Sequence, residues 1–155
     1  MGSARGLANH SLYMARILLQ AWQSALNADN GPEERVLDAA FGPAIRGHLL
    51  DGYGWFLLAM TRATTLPRVP PHHTEQLPQI GEGISEPGEV GEYRRLEQEG
   101  WLAQLQAPPP LGLARSLPGD TLASSHSAPG IATYQQWWEQ LDGLFQRMAD
   151  CMDEY

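Results

Sequence analysis

Lysine is absent from the 155 residues, and cysteine occurs once, at Cys151. A single thiol excludes an intramolecular disulfide and any Cys-rich zinc site. Ten Arg stand against eighteen acids, leaving a net charge of −8. Such a surface repels phosphate backbones and anionic membranes, so neither nucleic acid nor membrane is expected as a partner. No stretch approaches the roughly 18 uninterrupted apolar residues that cross a bilayer. The opening Met-Gly-Ser-Ala-Arg-Gly has no apolar core, so no secretory signal is expected and the chain reads as cytoplasmic. Period-two alternation is missing too, which argues against a sheet, and no internal repeat is visible.

What is present is a chain that can build a core. Hydrophobic residues make up 43% of it. A chain of this length buries roughly 70% of its unfolded surface, and one domain spanning 1–155 is expected. Ten of the twelve prolines fall in two windows, five in Thr64–Glu92 and five in Pro108–Gly130. These mark two irregular connections, 64–86 and 107–130. Four segments with helical periodicity surround them, at about 6–27, 32–63, 87–106 and 131–154. The fold class expected is all-α, a four-helix bundle with two long Pro-rich connections.

Each segment carries its own signals. In the first, Leu7, Met14, Leu18, Ala21 and Ala25 form an apolar stripe, widened by Tyr13, Ile17 and Trp22. Asn30 is the expected N-cap of the second, with Pro32 in its first turn. Gly42-Pro43 should kink that helix or split it. Gly47, Gly52 and Gly54 weaken it by about 1 kcal/mol each relative to Ala, and close approach of a neighbouring helix is the expected return. Ser85 is a candidate N-cap for the third segment. The fourth steps Ile131, Tyr134, Trp138, Leu141, Phe145, Met148, Met152, an alternation of three and four that defines a heptad seam.

Candidate chemistry is sparse. His10 lies on the first helix, and His48 and Asp51 lie i, i+3 on the second. Together they are the best available divalent-metal set. The helical Glu-x-x-His and His-x-x-x-His patterns that make bundle metal sites specific are missing, so no metal or other cofactor is expected. Arg68 and His73 match the Arg-x4-His of helical ribonucleases as a bare pattern. Pro70-Pro71 forbids the helix which that chemistry needs. Cys151 sits beside Asp150 and Asp153 at the negative end of a helix, where a thiolate is disfavoured. No nucleophile elbow and no phosphate-cradling loop occurs, so nothing supports catalysis.

Charge is concentrated. The Thr64–Glu92 window holds five Glu and one Arg, the last helix five acids and Arg147, and the rest of the chain is neutral. An acidic docking surface at Asp150, Asp153 and Glu154 is one consequence to test. Of the adjacent pair Trp137-Trp138, the seam places Trp138 inside and Trp137 at the flank, where an exposed indole would mark an interface.

Several pieces read together: Asn9-His-Ser-Leu12-Tyr13-Met14-Ala15-Arg16-Ile-Leu18-Leu19, His48-Leu-Leu-Asp-Gly-Tyr53-Gly-Trp-Phe56-Leu57, Gly100-Trp101-Leu102-Ala103 and the closing Glu154-Tyr155. They resemble a family of small, uncharacterised helical proteins from gammaproteobacteria related to the pseudomonads. The resemblance implies a helical fold in a bacterial cytosol and brings no activity or site. The function expected is a non-enzymatic protein-interaction or structural module, engaging a protein partner or a second copy of itself. The alternative is a small-molecule or metal-binding bundle that uses the region between helices one and two.

Overall fold

A computed structural model describes residues 3–78, 87–108 and 129–153, the last three by backbone alone. Among these the chain is all-α: α1 (Ala4–Leu26), α2 (Glu34–Met60), a 3-10 turn (Thr74–Gln76), α3 (Gly88–Glu99), α4 (Trp101–Gln106) and α5 (Ile131–Asp153). The N-terminus of α1 is capped by Ser3, whose Oγ accepts from the Gly6 amide at 3.0 Å. Asn30 does not cap α2; the helix begins at Glu34, and the flanking Glu33 makes no side-chain cap. The candidate cap Ser85 lies outside the described residues.

Helix breaks fall elsewhere than expected, since α2 is not split at Gly42-Pro43. Pro43 lies inside α2, and the helix runs through it. Pro43 stands on the exposed side of the helix. The third segment, by contrast, is two helices. Gly100 breaks it with an extended backbone (φ −106°, ψ −161°). A Cβ there would lie 2.8 Å from Leu96 Cδ2 and 3.1 Å from Leu96 Cα, so a larger residue would crowd the turn before it.

Helix α2 is the centre of the molecule. An unbroken run from Gly52 to Leu58 is buried on it, so it is covered on nearly every side. Its broadest partner is α1, and α5 packs across both. Gly52 provides the close approach expected of it: a Cβ would stand 3.4 Å from Ser11 Cβ and 3.5 Å from the Ala8 carbonyl of α1. Trp22, fully buried, stacks on Phe41 with ring centres 5.7 Å apart and leans on Tyr134 of α5.

The buried face of α5 is rotated from the expected seam. Tyr134, Trp137, Leu141, Leu144 and Phe145 are buried, while Ile131, Trp138 and Met148 are only partly so. Trp137 is 4% exposed and meets Tyr134 edge-on at 5.0 Å. Trp138 takes the flank, where its indole N–H donates to the Leu12 carbonyl of α1 at 2.8 Å. The two indoles therefore exchange the places the heptad assigns them.

Candidate functional site

Glu97 organises the side of the molecule away from α1. Val90, Tyr93 and Glu97 step by three and four along α3, so this carboxylate shares a face with two buried residues. Its Oε1 accepts from the Tyr53 hydroxyl of α2 at 2.8 Å and from the Thr74 amide at 2.9 Å. Its Oε2 accepts from the Thr74 hydroxyl at 2.7 Å. Thr74 is 3% exposed, so the segment after α2 is fastened from beneath. Burial first, and then the charge of Glu97, push the Tyr53 phenol far above its ordinary value.

The same segment is tied to α2 directly. His72 Nε2–H donates to Asp51 Oδ1 at 2.9 Å. The His72 amide donates to Gln76 Oε1 at 2.8 Å, and its carbonyl accepts from Gln106 Nε2 at 2.7 Å. An imidazole oriented by a carboxylate is also half of a general-base site. Among the described residues no hydroxyl or thiol hydrogen-bonds this imidazole, and its contact with Asp51 ties the segment to α2. Pro70 and Pro71 complete the strap. They are buried over Gly54, where a Cβ would collide with the Pro71 carbonyl and approach Pro70 Cβ to 2.9 Å. Gly54 thus serves a proline-rich loop, not the helix expected, and Gly47 faces open space. Residues 68–73 are not helical, so Arg68 and His73 do not share a helix.

Arg46 is a second side chain that periodicity overlooks. Its Nε donates to the Leu105 carbonyl at 3.0 Å and its Nη2 to the Gln106 carbonyl at 2.9 Å. A guanidinium therefore caps the C-terminus of α4, satisfying two carbonyls and opposing the helix dipole. The Tyr134 phenol is raised by burial, against a lowering by the Arg46 charge. The Asp38 carboxyl is raised by burial and then by Glu34, one turn before it.

The metal set is not assembled. No group of three His, Cys, Asp or Glu among the described residues is placed to hold a metal ion. His10 is exposed on α1, His48 is half-buried on α2, and Asp51 is engaged by His72. Trp137 is in the core and offers no exposed anchor. Asp150 is exposed near the end of α5; the side chain of Asp153, and Glu154 altogether, lie outside the described residues.

Two surface features involve α1. The buried stripe of α1 comprises Ala4, Ala8, Ser11, Leu12, Ala15, Leu19 and Trp22. At 100° per residue the opposite face holds Gly6, His10, Tyr13, Ile17, Gln20 and Ser24, all exposed and none a charged acid or Arg. Tyr13 is 57% and Ile17 41% exposed, an i, i+4 apolar pair. A cleft of about 130 Å³ opens where α1, α2 and α5 meet, floored by Phe56, Phe145 and Met148. No helix among the described residues is long and apolar enough to cross a membrane. Comparison with family models, curated proteins and solved structures found no match to this chain.

Proposed function

We propose that this protein is a non-enzymatic interaction module of the bacterial cytosol, and that the outer face of α1 is where it docks a second copy of itself. The exposed Tyr13–Ile17 pair on a charge-free face carries the reading. Arg5 and Arg16 are the only charges on α1, so the rest of the chain holds all eighteen acids against eight Arg. Two such molecules repel one another over most of their surface and least where they meet through α1. A two-fold contact between identical faces is self-complementary and closes at the dimer. The reading keeps the four-arm bundle, with α3 and α4 as one arm broken at Gly100 and the Pro-rich segments as its connections.

The face is small. A 23-residue helix is about 35 Å long and about 10 Å across. It therefore offers about 350 Å² per copy, less than half of the roughly 800 Å² typical of stable interfaces. The expected dimer is weak and reversible. Sedimentation velocity over a concentration series reaching the millimolar range should show monomer passing into dimer. Tyr13→Glu with Ile17→Glu should hold the protein as monomer, with its helicity unchanged. A monomer at every concentration, or a dimer that survives the double substitution, would sink the proposal.

A further inference from the structure

We infer that the cleft between α1, α2 and α5 is a binding site for a free amino acid with a leucine-sized apolar side chain. This inference is independent of the self-association through α1. The cleft combines an apolar floor with two opposite charges that do not meet. Phe56 of α2 and Phe145 of α5 stack at 4.7 Å between centres, and Met148 lies beside them. About 130 Å³ is close to the roughly 150 Å³ of a protein cavity that takes up benzene, so a branched aliphatic side chain fits and a larger ligand must leave its head outside.

The charges decide what that head is. Arg5 of α1 and Asp142 of α5 both line the cleft. Among the described residues the Arg5 side chain makes no ion pair or hydrogen bond, and the Asp142 carboxylate accepts only from Gln146 Nε2, at 2.8 Å. A cation and a carboxylate on different helices thus line one apolar cleft without satisfying each other. An apolar acid alone would be repelled by Asp142, and an apolar amine alone by Arg5. A zwitterion answers both: its carboxylate to the guanidinium, its ammonium to Asp142, its side chain to the phenyl floor.

The test is a titration of protein carrying ¹³C-methyl methionine, following the Met148 methyl. L-leucine should move that signal saturably. N-acetyl-L-leucine, which lacks the ammonium, and L-leucinamide, which lacks the carboxylate, should each bind about fivefold more weakly, the effect of losing one solvent-screened ion pair. Arg5→Gln should erase the preference for leucine over leucinamide and leave the preference over the acetylated form. Asp142→Asn should do the reverse. Ala149→Leu, which fills the cleft from α5, should abolish the shift while preserving helicity by circular dichroism. No saturable shift of Met148 with leucine, equal affinity for the three ligands, or preferences unmoved by the charge substitutions would each overturn the assignment.

Discussion

The two sides of α2 are held by different physics. Toward α1 and α5 the contacts are apolar: Trp22 on Phe41, Phe56 on Phe145, and the bare backbone of Gly52 against Ala8 and Ser11. Each large side chain buried there contributes about 1.5–3 kcal/mol, and truncating any one leaves the others in place. Toward the strap and α3 the contacts are polar and share members. Glu97 accepts from Tyr53 and twice from Thr74, while His72 is pinned through its amide, its carbonyl and its ring. A network that shares members fails together, because removing one acceptor strands several buried donors. Substitutions on the polar side should therefore loosen the strap ahead of the rest, whereas those on the apolar side should lower stability without singling out a segment.

The sharpest break of this contrast is a single methyl group. Gly54→Ala puts a Cβ into the Pro71 carbonyl, and neither that backbone nor the helix can yield without moving the strap. We expect a loss of about 3 kcal/mol in chemical denaturation, the upper part of the range for overpacking. Gly47→Ala, seven residues earlier with nothing within 4 Å of the new Cβ, should instead gain about 0.5–1 kcal/mol from helix propensity. Equal effects at both sites would show that the strap does not press on α2.

Glu97→Gln sharpens the contrast on the polar side. The amide keeps the size but turns one acceptor into a donor facing Tyr53 or Thr74, at an expected cost of about 2 kcal/mol. Hydrogen exchange at the Thr74 amide should rise before that in α1 does. The same network gives the stability a pH dependence. The Tyr53 pKa is raised in the folded protein, first by burial and then by Glu97, so the unfolded chain releases this proton first as pH climbs. The contribution is complete below pH about 10 and is lost as pH rises above it, at about 1.4 kcal/mol per pH unit. Tyr134 is shifted in the same direction and adds to the fall. Tyr53→Phe should flatten the alkaline decline seen in denaturation midpoints, although it costs about 1 kcal/mol at neutral pH through the lost hydrogen bond. An unchanged alkaline slope would place the titration elsewhere.

The apolar side was legible because its signal is local. Spacings of three and four in 6–27, 32–63 and 131–154 return as α1, α2 and α5, with ends that differ by a few residues. The polar side was not, because its partners are distant in sequence: Tyr53 and Glu97 are 44 residues apart, Arg46 and Gln106 60. A trace of it was nevertheless present. Glu97 follows Val90 and Tyr93 at helical spacing, and Arg46 stands between Gly42 and Leu49 in the same way. A charge on a face otherwise buried demands a partner, and asking for that partner finds both residues. The exchange of Trp137 and Trp138 has a similar origin. Apolar periodicity does not register the indole N–H, which for the flanking Trp138 donates to the Leu12 carbonyl. The split at Gly100 and the passage of α2 through Pro43 turn on exposure and close contact, which composition does not encode.

The smallest effect expected lies at the junction of the two sides, where α2 ends. The Arg62 amide donates to the Ala59 carbonyl at 3.2 Å and the Ala63 amide to the Leu58 carbonyl at 3.0 Å. These are the paired bonds of a Schellman ending, whose penultimate position takes the left-handed conformation and favours glycine. Here that position is Arg62, with φ 54°, the one non-glycine residue of positive φ among those described. Its Cβ meets the carbonyl of its own turn, at a cost of about 1 kcal/mol. Arg62 is exposed, so no packing offsets the strain. Arg62→Gly should therefore stabilise the protein by up to about 1 kcal/mol, less the entropy that glycine adds to the unfolded chain. The gain should appear as a higher denaturation midpoint without a change in slope. Arg62→Ala should give none of it, since alanine keeps the Cβ. A gain with alanine equal to that with glycine would mean that the side chain, and not the backbone, carries the strain at the end of α2.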